Sequence, residues 1–283
     1  MVEAIVAAIG SAAGVVVLAH ESDPDHNRSV VTFAGAPAAV AEGAFRGIAK
    51  AVERIDVSQH AGVHPWIGAA DVVPFVPVEH ATLEECAQLA RETAQRVWEQ
   101  LRVPVYLYEA AAMVPERQRL ENVRRGGLRY LREHIVERPP DVGDPVLHPT
   151  AGATIIGARK LLIAFNINLT TDDLEIARAI AKKIRQSSGG FAHVKSLGLP
   201  INSRGLAQVS INFTDFEVTG LYPVFEAVRL EAARHGVAIA TSEIIGLVPR
   251  LALENAAAQF LQIENYSPQR VLERRIAECG LKI

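Results

Sequence analysis

The stretch Arg138–Gly152 constrains the fold of this chain more than any other. It gathers Pro139, Pro140, Gly143, Pro145, Pro149 and Gly152. Proline fixes φ and lacks an amide donor, and glycine is a poor helix former, so neither a helix nor a central strand runs through it. Regular structure is therefore divided into a part before and a part after. We read the stretch as the boundary region of two lobes, residues 1–160 and 161–283.

The second lobe has the cleaner pattern. Leu161–Leu169 is a near-continuous apolar run, as expected of a central strand. A helix over Asp172–Ser187 and strands over Val194–Leu199 and Leu206–Phe213 follow. Next come a helix over Leu221–His235, stopped by Gly236, and a strand over Val237–Ile245. Two further helices are expected at Arg250–Ile263 and Pro268–Cys279. Strand, helix, strand, strand, helix, strand is the split βαβ pattern of ferredoxin-like folds.

The first lobe repeats this order without its opening strand. A helix over Val2–Ile9 precedes strands at Val15–Ala19 and Ser29–Ala34, which flank a polar loop over His20–Arg28. A helix over Pro37–Ile55 and a strand over Val72–Val78 follow, the latter held to an edge or bulge by Pro74 and Pro77. In split βαβ topology the first strand lies mid-sheet. Its absence is expected to leave two rows of backbone groups unpaired, to be closed by neighbours, another chain or residues upstream of Met1. Thr82 and Glu85 form a capping box for a helix running to Leu101. A strand at Val103–Tyr108 and a basic helix over Arg117–Ile135 complete the lobe. The fold class expected is α+β: two ferredoxin-like (split βαβ) subdomains with mixed sheets and helices packed on one face, the first lacking its opening strand.

With 283 residues, 49% of them hydrophobic, the chain has enough apolar material for two packed lobes. A net charge of −3 gives no general attraction to nucleic acid. Cys86 and Cys279 are far apart and suggest no disulfide framework, so a reducing, cytoplasmic setting is expected. Residues 1–19 are apolar, but they carry Glu3 and no Lys or Arg, unlike a signal peptide. No later run is long enough to span a membrane, so no membrane partner is expected.

Residues His60–Asp71 read His-Ala-Gly-Val-His-Pro-Trp-Ile-Gly-Ala-Ala-Asp. Gly62 and Pro65 exclude a helix, leaving a shaped loop that delivers two imidazoles and a carboxylate. His64 is a candidate acid–base group or a hydrogen-bonded structural histidine. His60 orients His64, contacts substrate or stabilises the loop. Asp71 fixes an imidazole tautomer or caps the start of the following strand. The three are plausible metal ligands by type, but not at a zinc spacing, and no metal is expected.

These residues belong to a longer series that resembles the formiminotransferase family. The series includes Asp25-His26-Asn27-Arg28-Ser29, Thr32-Phe33, the His60–Asp71 loop with Pro74-Phe75-Val76-Pro77-Val78, and Val103-Pro104-Val105-Tyr106-Leu107-Tyr108. It continues through Gly157-Ala158-Arg159-Lys160, Ile163–Leu169, Leu206–Ser210, Asp215–Thr219, Ser242 and Gly246-Leu247-Val248-Pro249. The similarity runs in order along nearly the whole chain. It implies transfer of a formimino group between N-formimino-L-glutamate and tetrahydrofolate, the latter as co-substrate. It also implies two ferredoxin-like subdomains with folate between them, and a homodimer.

By this resemblance the family's catalytic histidine falls on His64. Its folate-contacting segment falls on Gly143, Asp144, Pro145, Val146, Leu147, His148, Pro149, Thr150, Ala151 and Gly152, where Gly143, Pro149 and Gly152 keep the pattern. The family opens with a strand and a polar loop ahead of the first helix, in line with the topological argument. No cyclodeaminase domain follows Ile283, so a separate cyclodeaminase is an expected partner.

The transfer chemistry selects further residues. A folate amine attacks the amidine carbon and the glutamate amine leaves, so one well-placed imidazole serves as base and then acid. A carboxylate near the site attracts the cationic amidine; Glu21 is a candidate, while Asp23 and Asp25 read as turn residues around Pro24. Glutamate carboxylates call for arginine forks, and Arg28, Arg159 and Arg204 are candidates with Lys160 in support. The basic stretch Arg117–Arg132 reads as a solvated face or a track for a glutamylated folate tail. Trp66 stacks on a pterin or packs, and Tyr106 reads as packing. Competing functions are a folate-binding protein of this fold without transfer, a transferase using a formyl donor, and a metal-dependent hydrolase.

Overall fold

The computed structural model describes residues 1–23, 27–59, 66–201 and 203–280. It divides into two units, Met1–Lys160 and Leu161–Ile283. In the first unit, α1 (Val2–Gly10) packs across α2 (Pro37–Arg54). The crossing is close because of Gly47, where a Cβ would lie 2.8 Å from the Ile9 side chain. Between these helices in sequence, β1 (Val15–Asp23) and β2 (Arg28–Gly35) form an antiparallel hairpin with an irregularity at Leu18. The hairpin is longer than its sequence suggested. His20, Glu21 and Ser22 pair with Val31, Val30 and Ser29 and do not form a loop. Polar residues suit a strand here because both faces near the tip are exposed, and the Ser22 and Ser29 hydroxyls meet at 2.9 Å.

A second sheet of this unit is parallel, in the order β3 (Val72–Phe75), β5 (Thr154–Ala158), β4 (Val105–Glu109). β3 is an edge strand, which is where Pro74 is tolerated. The capping box of α3 (Leu83–Leu101) forms as expected: Glu85 N donates to Thr82 Oγ1 at 3.2 Å, and Thr82 N donates to Glu85 Oε2 at 2.7 Å. α2 and α3 cover one face, burying Phe45, Ile48, Ala90 and Val97 with Phe75, Leu107 and Ile156. The other face of the same strands buries Tyr106, Tyr108 and Ile155 under Val123, Leu131 and Ile135. Two-sided cover is the rule for parallel sheets.

The expected helix over Arg117–Ile135 is broken. It becomes a 3-10 turn at Pro115–Gln118, α4 (Leu120–Val123) and α5 (Gly127–His134). Gly126 and Gly127 sit at φ 76° and 64°, outside the right-handed helical region, and turn the chain there. The proline- and glycine-rich stretch lies within the first unit and leads into β5, the middle strand of the parallel sheet.

The second unit follows the split βαβ order. Its strands are β6 (Ile163–Leu169), β7 (Val194–Ile201), β8 (Leu206–Phe213) and β9 (Ile239–Ile245), all antiparallel in the order β7-β8-β6-β9. Alternation does the work on each strand. Ile163, Phe165, Ile167 and Leu169 of β6 and Val209, Ile211 and Phe213 of β8 face α6 (Leu174–Ile184) and α7 (Leu221–Arg234) in one core. α8 (Arg250–Phe260) and α9 (Leu272–Glu278) follow. Among the described residues no helix is long and apolar enough to cross a membrane.

Candidate active site

His60 and His64 lie outside the described residues, but both flanks of their loop are within them. Upstream, Val57 N donates to the carbonyl of Thr150 at 2.8 Å. Downstream, the bonding is dense. Leu128 N donates to Trp66 O at 2.8 Å, Ala153 N to Ile67 O at 3.0 Å, and Ala69 N to Ala151 O at 2.9 Å. Gly68 forms an antiparallel bridge with Gly152. The approach there requires glycine: a Cβ on Gly68 would meet the Ala153 oxygen at 1.7 Å. Ile155 N donates to Asp71 O at 2.9 Å, and the Thr154 hydroxyl donates to Ala70 O. Both flanks of the histidine loop are thus stitched to residues 150–155.

Asp71 closes this arrangement. Its Oδ1 accepts Ile67 N at 2.8 Å, and its Oδ2 pairs with the Arg124 guanidinium. The two side chains are 19% and 18% exposed, so the pair is shielded enough to hold the turn after the loop. Among the described residues, the buried Arg124 Nε has no acceptor. Sequence reasoning did not single out Arg124. It is one of several arginines between Arg117 and Arg138, and nothing in their spacing marks which one meets a carboxylate.

Residues 143–152 form a self-bonded loop. Gly143 adopts φ 103° against the Trp98 ring, where a Cβ would come within 2.6 Å of Cε3. Val146 N donates to Asp144 O at 2.7 Å, and His148 and Gly152 exchange N–H···O bonds of 2.9 and 3.0 Å. Ala151 N donates to His148 Nδ1 at 3.0 Å, and burial pushes the His148 pKa below its ordinary value. A cavity of about 410 Å³ runs beside the loop, between Pro145–Pro149 and the Arg132–Ile135 end of α5.

Residues 1–159 match the formiminotransferase domain, N-terminal subdomain, and residues 164–282 match the formiminotransferase domain. The chain belongs to the formiminotransferase family. It is 43% identical over 279 residues to a glutamate formimidoyltransferase of Streptococcus pyogenes serotype M1, covering 98% of this chain and 93% of that protein. It is 45% identical over 277 residues to a glutamate formimidoyltransferase of Thermoplasma acidophilum, covering 96% and 91%. It is 43% identical over 272 residues to a mouse formimidoyltransferase-cyclodeaminase, covering 93% of this chain and 50% of that protein.

The remaining sequence candidates lie on several elements of the two units. Glu21 is exposed on β1 opposite Val30, and Arg28 is exposed at the start of β2. Arg159 and Lys160 follow β5; Arg159 N donates to Phe75 O at 3.1 Å and its guanidinium to Lys160 O at 3.0 Å. Arg204 is exposed in the turn between β7 and β8 of the second unit. In the first unit, Glu21 and Arg28 share the β1–β2 hairpin, and Arg159 and Lys160 adjoin after β5. Tyr106 is a core residue: its hydroxyl donates to Arg138 O at 2.7 Å, and burial pushes its pKa up to about 12. Beside it, Asp141 accepts Leu107 N at 2.7 Å and pairs with Arg117 at 2.5 Å. Cys86 is likewise buried in the core, which raises its thiol pKa.

Proposed function

We propose that this chain transfers a formimino group between N-formimino-L-glutamate and tetrahydrofolate, with His64 as general acid–base. Family membership and the names of its full-length relatives support the reaction. The single structural observation that supports the site is the stitching of both loop flanks to residues 150–155. That bonding ties the segment bearing His64 to the segment that the resemblance assigns to folate. A secondary amine of folate attacks the amidine carbon, forming a C–N bond and a tetrahedral centre. His64 takes the proton from the attacking nitrogen and returns it to the departing nitrogen as the original C–N bond breaks and glutamate leaves. Acid–base assistance of this kind contributes about 10²–10⁴-fold.

His60 supports His64, and Asp71 acts by holding the turn that follows the loop. Arg28, Arg159, Lys160 and Arg204 are candidate carboxylate contacts, and Glu21 a candidate for the cationic amidine. The chain works in the cytoplasm as a homodimer and passes its product to a separate cyclodeaminase.

The test incubates the chain with formiminoglutamate and tetrahydrofolate and follows free glutamate. His64→Ala is expected to slow release about 10²–10⁴-fold while folate binding persists. Undiminished release in that variant refutes the assignment of His64. Folate binding without release by the wild-type chain refutes transfer.

A further inference from the structure

The sheet of the second unit carries α6 and α7 on one face. On the opposite face, strand pairing sets Ser210, Asn166 and Glu243 in one row and Gln208, Asn168 and Thr241 in the next. Asparagine is depleted in strands, and a face turned only to water has no need of primary amides. Two of these amides are shielded: Asn168 is 1% exposed and Gln208 8%. A shielded amide has to find partners, and here the bonds converge. Gln208 Nε2 donates to Asn168 Oδ1 at 2.9 Å, and Asn168 Nδ2 donates to Thr241 Oγ1 at 2.9 Å. Gln208 Nε2 also donates to Glu243 Oε1 at 3.1 Å, and Asn166 Nδ2 donates to the same oxygen at 3.1 Å.

Glu243 is therefore held by neutral donors from two other strands, β6 and β8. Glu175, Glu226, Glu231 and Glu254 of the same unit are held by arginine or lysine. Among the described residues, Glu243 has no ion-pair partner, and its Oε2 accepts no hydrogen bond. The side chain is exposed, so that oxygen is within reach of a ligand. A carboxylate fixed at one oxygen and open at the other suits a planar cation that carries N–H groups. The formimino donor ends in such a group, an amidine that is cationic at neutral pH with N–H on both nitrogens. An N-formyl group has the same size, but it puts a neutral carbonyl oxygen where the cationic nitrogen would be. That sets an acceptor against an acceptor.

We propose that Glu243 receives the amidinium of the formimino donor and selects it over a neutral formyl donor. The inference rests on the formimino-transfer reading. It moves the amidine contact from Glu21, on the exposed hairpin, to a carboxylate that amides hold in place.

The experiment measures kcat/KM for formiminoglutamate and the inhibition constant of N-formylglutamate competing with it, at constant tetrahydrofolate. The two compounds share their glutamate body, so a damaged fold weakens both. Glu243→Gln keeps an acceptor for Gln208 and Asn166 and removes the charge. It is expected to lower kcat/KM about 10–100-fold, mostly through KM, and to leave the N-formylglutamate constant within about twofold. Glu243→Asp keeps the charge on a shorter arm and is expected to recover part of the loss. Glu175→Gln removes a charge from α6 and is expected to change neither constant, which separates a contact from the general field of the unit. Equal losses in both constants from Glu243→Gln, no loss in either, or the same selective loss from Glu175→Gln overturns the assignment. A selective loss in Glu21→Gln with none in Glu243→Gln returns the amidine to Glu21 and overturns it too, while transfer stands. A wild-type chain that releases no glutamate overturns the transfer reading instead. Calorimetric affinities of wild type and Glu243→Gln for the two compounds then still decide the contact.

Discussion

β2 and β8 hold the same place in the split βαβ order, yet their surroundings are opposite. β8 lies between β7 and β6 and bonds to both, and its inward residues Val209, Ile211 and Phe213 are 0% exposed. β2 bonds only to β1, none of its residues is fully buried, and Val30 is 50% exposed. The sequences do not account for this. Val30-Val31-Thr32-Phe33 is as suited to a strand as Ser210-Ile211-Asn212-Phe213. The difference is β6, which fills the middle of the second sheet and carries Ile163, Ile167 and Leu169 into the core. In the first unit, β1 and β2 pair as a hairpin, and β3, β5 and β4 form a separate parallel sheet. Cohesion in the first unit shifts from strand pairing to helix packing and to the bonded loops around Asp71.

Core truncation probes this contrast with the largest expected effect. Phe213→Ala removes a fully buried ring and is expected to cost about 3–5 kcal/mol. Phe33→Ala on half-buried β2 is expected to cost only about 1–2 kcal/mol, in proportion to the smaller area covered. Urea unfolding of the two variants measures both. Equal losses break the contrast, because they make the hairpin as integral to its unit as β8 is to the other.

The same contrast explains what was legible in the sequence. In the second unit, β6 stands out as part of a near-continuous apolar run, and β8 coincides with the strand read over Leu206–Phe213. The capping box of α3 and the start of α2 at Pro37 are local signals and read correctly. β5 did not stand out. Thr154–Ala158 is short, buried on both faces and placed directly after a run of prolines and glycines. Leu120, Val123, Leu128, Leu131 and Ile135 keep helical spacing across Gly126 and Gly127, so spacing alone predicts one helix over Arg117–Ile135 where the structure has two. Positive φ at those two glycines is a tertiary outcome that spacing does not report. In the site, the resemblance led to residues 143–152, whose glycines the structure explains by Trp98 at Gly143 and by the Ile67 carbonyl at Gly152. Arg124 does not stand out, for a different reason: its partner, Asp71, comes from a distant part of the chain.

Asp71 sharpens the contrast from the loop side. Asp71→Ala removes the acceptor of Ile67 N and strands Arg124 in a shielded position, where its Nε already lacks a partner among the described residues. Fully buried pairs lose about 3–5 kcal/mol on such truncation, and partial exposure here reduces the expected cost to about 2–3 kcal/mol. Asp71→Asn keeps an acceptor for Ile67 and is expected to lose about half as much. Urea unfolding gives the stability, and glutamate release is expected to fall in step, through kcat more than KM. If Asp71→Ala costs less than Phe33→Ala, the first unit depends on its hairpin more than on its bonded loops.

Acidification separates the two units with the smallest effect. His148 of the first unit is held below its ordinary pKa of 6.5 by burial. The unfolded chain therefore binds more protons there than the folded chain, so stability is full above 6.5 and falls as pH drops through that value. Glu254 of the second unit behaves differently. Burial raises its pKa, but hydrogen bonds from Arg250, Tyr266 and Arg274 outweigh burial and lower it from 4.5. Its contribution is complete above 4.5 and is lost only as pH falls below. Between these two values, the loss tied to these groups belongs to the first unit. Urea unfolding at pH 7 and pH 5.5 is expected to show a loss of less than about 1 kcal/mol that His148→Gln removes, since glutamine keeps an acceptor for Ala151 N without titrating. A loss of the same size in the variant assigns the pH dependence elsewhere. A loss confined to the first unit, read by amide exchange around residues 148–152, ties the pocket's histidine to the stability of the loop that carries it.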